Sequence, residues 1–212
     1  MQRFLVVAFL VQLLLLVTLG GAIGAGPGAF VDKETGILVK TATPEDTAVS
    51  FYALLEKGRW QPAYRLMTKM SREMISEADM EASVKQVKIA KSRLIKVFPA
   101  VHKGEFATVG HVRVIQLENQ PNEMAIVGIA VLRQNPETRA WEIVRVPNEI
   151  ENVYGDILDL ILKTDEEMSK EDFAGENLTQ EQLTQIKDQI KAMKEMHLAQ
   201  KKAFEQGTVP NQ

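Results

Sequence analysis

Residues 93–146 read RLIKVFPAVHKGEFATVGHVRVIQLENQPNEMAIVGIAVLRQNPETRAWEIVRV. Four stretches in it, 93–101, 106–117, 124–132 and 140–146, are rich in branched and aromatic residues, as strands are. Between them lie His102-Lys103-Gly104-Glu105, Asn119-Gln120-Pro121-Asn122 and Gln134-Asn135-Pro136-Glu137. Glycine supplies positive φ, proline presets φ, and asparagine bonds its own backbone, so each run predicts a turn. Connections this short join antiparallel neighbours, because a parallel crossover needs a dozen residues or more. The stretch therefore predicts a four-strand antiparallel meander.

Upstream the periodicity is helical. Thr43-Pro44-Glu45-Asp46 places a capping hydroxyl, a proline at the first helical position and two acids in the first turn. Ala48, Phe51, Tyr52 and Leu55 follow at i, i+3, i+4 and i+7. Gly58 suits a helix end. Pro62 suits the start of a second helix, with Ala63, Tyr64, Leu66, Met67 and Met70 as its apolar residues. Ser76 caps a third, with Met80, Val84 and Val87 as its buried stripe. Met67, Met70 and Met74 are expected to pack in the core. The predicted class is α+β: a curved antiparallel sheet of about four strands wrapped around N-terminal helices, plus a C-terminal helical extension.

That extension spans 148–212. Residues 154–162 predict one helix, and Thr179-Gln180-Glu181-Gln182 opens a longer one as a capping-box match. Leu183, Ile186, Ile190 and Met193 form a short heptad seam that decays at His197. Three fates stand open for this helix: docking on the chain's own sheet, pairing with a protein partner or a second copy, or a mobile amphipathic tail.

At the other end, residues 4–19 read FLVVAFLVQLLLLVTL, followed by the small-residue run GGAIGAGPGAF. With Arg3 in front, residues 1–25 are expected to be a signal peptide or an N-terminal membrane anchor, and 26–42 a linker. Either reading puts the remainder outside the cytoplasm, secreted or periplasmic if cleaved and anchored outward if not. The membrane is expected only through this segment. Composition narrows the chemistry. The 212 residues carry 25 basic and 28 acidic side chains, a net charge of −3, which argues against nucleic acid. Zero cysteines exclude a disulfide, a thiolate metal site, a cysteine nucleophile and a lipidated cysteine. His102, His111 and His197 lack ligand spacing, and no phosphate loop occurs, so neither metal nor cofactor is implied. Asn177-Leu178-Thr179 matches a glycosylation sequon, but Thr179 reads better as a helix cap.

The helix face Phe51-Tyr52-Ala53-Leu54-Leu55, the run Gly58-Arg59-Trp60-x-x-Ala63-Tyr64-x-Leu66 and Trp141 in the last strand are together similar to the nuclear-transport-factor-2-like superfamily. That superfamily is also called cystatin-like or ketosteroid-isomerase-like. The resemblance covers residues 42–146, and in particular the chain looks like extracytoplasmic bacterial members that follow a signal or anchor. It implies a cone, residues 43–147 here, with a bent sheet around a helix and a pocket at its open end. The superfamily includes isomerases, hydrolases and dehydratases as well as non-catalytic assembly modules, so the fold alone licenses little.

The residues available to line such a pocket are Tyr52, Trp60, Tyr64, His111, Trp141 and Arg145. A ketosteroid-isomerase-like enzyme needs a carboxylate base in the cone. No Asp falls in the four strands. Glu142 flanks Trp141 and so points to the opposite face. No catalytic residue is therefore assigned. The leading expectation is an exported non-catalytic binding or assembly module of a cell-envelope or secreted complex. The alternative is a small-molecule pocket protein, either an isomerase- or lyase-like enzyme or a carrier of an apolar ligand.

Overall fold

In the computed structural model, which describes residues 29–207, the meander forms as an open antiparallel sheet. A short ribbon of β1 (Phe30–Val31) and β2 (Leu38–Val39) comes first. Four helices follow: α1 (Pro44–Glu56), α2 (Trp60–Arg65), α3 (Lys69–Met74) and α4 (Glu77–Gln86). The sheet consists of β3 (Ile89–Val97), β4 (Val101–Lys103), β5 (Phe106–Leu117), β6 (Met124–Gln134) and β7 (Trp141–Ile143). Its order is β3-β5-β6-β7, with β4 also on β5. The expected first strand is two pieces because Pro99 has no N–H for the ladder. Glu45 in the first turn of α1 accepts the Ala100 N–H at 2.7 Å and holds this corner. Helices α5 (Tyr154–Ser169) and α6 (Gln180–Glu205) end the chain.

The N-terminal helices start as their caps dictate. Thr43, Thr68 and Ser76 each accept an N–H of the first turn. The expected second helix is broken, and this corrects the sequence reading. Residues 66–68 leave helical geometry to lie beside β7, where Thr68 donates its N–H to the Ile143 carbonyl at 2.9 Å and Ile143 donates to Leu66 at 2.8 Å. Met67 is thereby fully buried, Met74 packs at the core margin, and Met70 is exposed. Of the stripe expected in α4, only Met80 is buried.

The sheet is covered on both faces. On one, Ala107, Val109, Ala130, Leu132, Trp141 and Ile143 meet Ala48, Phe51 and Leu54 of α1. On the other, Val112, Val114, Ala125 and Val127 meet Met168 of α5 and Ile186, Ile190 and Met193 of α6. Phe106 meets Ile157 and Leu160 of α5. At Gly110 a Cβ would stand 2.7 Å from the Met168 sulfur, so the bare backbone lets α5 approach. Phe173, at φ 58°, is buried edge-on against Phe98 and pins the link between α5 and α6.

The fate of the C-terminal helix is thus docking. Ile186, Ile190 and Met193 are buried on the chain's own sheet and Leu183 packs at their margin, so the seam expected for a partner helix is used internally. Among the described residues no helix is long and apolar enough to cross a membrane. The export or anchor segment, 1–25, lies outside the described residues.

Ile186 and Leu198 lie on the same helix and separate these two faces of it. Ile186→Ala, at a fully buried site, is expected to cost about 2–4 kcal/mol in urea denaturation. Leu198→Ala, at an exposed site, is expected to stay within about 0.5 kcal/mol. Equal effects would contradict the docking.

Candidate functional site

Helix α1 crosses the β3 end of the sheet, and polar side chains gather there beside an apolar cleft. Phe51 and Leu54 point straight into the core. Tyr52, one residue along, turns toward β5, where its ring lies 4.3 Å from that of His111 at 34°. The Arg113 guanidinium stands 4.4 Å from the same ring centre. Such a stack of cation on aromatic is attractive in a partly dry site. Arg113 also forms an ion pair with Glu56, and both side chains are nearly buried. Beside these groups, Ala48, Val49, Leu94 and Val97 line a cleft of about 50 Å³.

His111 is the most constrained member. It is buried, and its Nδ1 has no hydrogen-bond partner among the described residues. The ring lies across β6, where a Cβ on Gly128 would fall 2.7 Å from its Cε1. That is why a glycine faces it in the ladder. Burial first, then the nearby Arg113 charge, hold its pKa well below the ordinary 6.5, against the pull of a hydrogen bond with the Val109 backbone. The imidazole is neutral at pH 7.

The other expected lining residues lie elsewhere. Tyr64 is buried, and its hydroxyl donates toward the Arg72 and Ile75 carbonyls at 2.8 and 2.9 Å, which pins α2 to α3. Trp60 is half-buried at the core margin. Trp141 is buried in the core with the exposed His102 ring 5.4 Å away. Arg145 follows β7, its backbone N–H on the Ser71 hydroxyl at 2.9 Å, and burial lowers its pKa while Tyr52 acts the other way. Of the six, Tyr52 and His111 stack on each other, and Arg145 stands within electrostatic reach of Tyr52. Two members of the cluster, Arg113 and Glu56, lie outside the six. Their signals were present: Arg113 is two residues from His111 on one strand face, and Glu56 is one helical turn past Tyr52.

Two further polar groups serve the architecture. Asp165 of α5, fully buried, bonds His197 Nδ1 of α6 at 2.7 Å, and Thr108 meets Thr164 at 2.7 Å. The heptad seam decays at His197 because a polar pin replaces the apolar one. Near β7 the Glu149 carboxylate accepts from Thr68 at 2.5 Å and Ser71 at 3.2 Å, with Arg133 at 3.7 Å. Glu142 points away from Trp141, toward Asn135 and Arg133, and burial raises its pKa. Among the described residues no three His, Asp or Glu side chains could hold a metal ion together.

The cluster at α1 therefore has a neutral imidazole, a phenol and an arginine already met by Glu56. It has no unpaired carboxylate to act as a base. The cleft has room for about one water, whereas ligand sites run to several hundred Å³. Compared with known proteins, the chain matches no family model and no curated protein.

The lowered pKa of His111 makes stability depend on pH. Below pH 6.5 the unfolded chain takes up a proton at this residue that the folded chain refuses, so folding stability falls as pH falls through that window. Between pH 7.5 and 5.5 the wild type is expected to lose more stability than His111→Phe in urea denaturation, by on the order of 1 kcal/mol. Parallel curves for the two proteins would refute a neutral buried His111.

Proposed function

We propose that this chain is an exported, non-catalytic binding or assembly module of a cell-envelope or secreted complex, built on a cone of the nuclear-transport-factor-2-like type. One observation supports the reading above others. The space between the N-terminal helices and the sheet, where a pocket protein would hold its ligand, is filled by Phe51, Leu54, Met67, Leu132 and Trp141. The cleft beside Tyr52 and His111 measures about 50 Å³. A carrier or a lyase needs enclosed volume and, for acid–base work, a carboxylate or imidazole within reach of substrate. Here His111 is enclosed, and Glu56 is bound to Arg113. Export is supported by the basic, apolar and small-residue order of residues 3–30.

The reading predicts a complex. The full chain, extracted from its source cells in mild detergent, is expected to sediment well above its own 23.7 kDa, and Tyr52→Phe is expected to leave that size unchanged. A monomer whose melting temperature rises by several degrees with an apolar small molecule would favour the pocket reading and overturn this one.

A further inference from the structure

The sheet has two long edges, and the chain treats them differently. Beyond β7, residues 66–68 lie alongside and exchange backbone hydrogen bonds with Ile143. Because β7 is short, β6 projects past it, and two glutamines of α6 close that part. Gln185 accepts the Ala125 N–H at 3.1 Å, while Gln189 accepts the Val127 N–H at 3.1 Å and donates to the Ala125 carbonyl at 2.8 Å. The β3 edge has no such cover: among the described residues no strand or side chain is hydrogen-bonded to its outer backbone. It is also nine residues long.

The two faces of this open edge differ in chemistry. Lys91, Arg93 and Lys96 share the face of β5 residues Gln116, Val114 and Val112, which is the α6 side. Glu171 pairs with Lys96, and Gln182 lies 3.4 Å from Arg93. Lys91 has no acidic partner among the described residues, so the row keeps a positive excess. On the α1 side stand Leu94, 46% exposed, and across the cleft Val49, 36% exposed. Lysines and bulges are common guards on an edge strand, and β3 has both. A guard has no use for an exposed leucine beside an apolar cleft.

We propose that the β3 edge receives an extended segment of a partner protein in which apolar and acidic side chains alternate. The segment adds to the sheet by backbone hydrogen bonds, with its acids over Lys91 and Arg93 and its apolar residues over Leu94 and the Val49 cleft. Pairing of β3 with β3 of a second copy is disfavoured, since it would set Lys91, Arg93 and Lys96 against the same row reversed. This assignment rests on the assembly reading above and names the chemistry of its partner.

The test uses the full chain and two synthetic nine-residue peptides, one alternating valine with glutamate and one alternating valine with lysine. The valine–glutamate peptide is expected to bind at least tenfold tighter by calorimetry and to slow hydrogen exchange at β3 amides. Lys91→Glu is expected to weaken it several-fold, and separately Leu94→Asp tenfold or more, without moving the melting temperature, since both sites are exposed. Equal binding of both peptides, protection away from β3, or no binding would overturn the proposal. So would a concentration-dependent dimer abolished by Leu94→Asp, which would give the edge to a second copy. None of those peptide results alters the sedimentation of the full chain from its source cells, which judges the assembly reading separately.

Discussion

A sheet whose two faces are both apolar cannot stand in water behind a single layer of helices, and β5 and β6 impose that condition here. Their side chains alternate between two cores, Ala107, Val109, Ala130 and Leu132 on one side and Val112, Val114, Ala125 and Val127 on the other. At about 25 cal/mol per Å² of apolar surface, leaving either face wet would cost more than a domain of this size has in reserve. The C-terminal helices follow from that requirement. Residues that look like an appendage along the chain complete the second layer, and the polar pins Asp165–His197 and Thr108–Thr164 fix where it sits.

The same helix that seals a face also seals an edge. Gln185 and Gln189 satisfy backbone groups of β6 that the short β7 leaves unpaired, while residues 66–68 do so for β7. Unpaired backbone groups at a sheet edge invite other chains, so closing one edge and leaving the other open, among the described residues, gives the sheet a direction. The open edge adjoins a place where α1 meets the sheet through a cluster of polar side chains. Tyr52, His111, Arg113 and Glu56 stack and pair there beside the apolar Val49, Leu94 and Val97.

How far the site was legible depends on distance along the chain. The pairing of Tyr52 with His111 joins residues from one helix and one strand, and periodicity placed each on an inward face without saying that they meet. Tyr64 obeys the same periodicity yet its hydroxyl meets the Arg72 and Ile75 carbonyls, and Trp141 faces the core. Glu56 and Arg113 were reachable by helical and strand spacing from residues already singled out. The second helix failed as one piece because Thr68 has two competing uses, and its N–H is taken by Ile143 from far along the chain.

Local chemistry in the sequence determined the elements. Caps at Thr43, Ser76 and Thr179, turns at Gly104, Pro121 and Pro136, and branched runs between them act over a few residues, so they can be read without knowing the fold. The near-uniform apolarity of residues 124–132 even held the sign that both faces are covered, since a strand exposed on one side alternates. Tertiary structure alone decided which surface meets which. That Leu183, Ile186, Ile190 and Met193 spend their seam on this sheet, that His111 is enclosed, and that no described strand pairs with the outer edge of β3 all depend on contacts between residues tens of positions apart. Hydrophobic burial has no direction, so a stripe states that it must be covered and only the packed chain states by what.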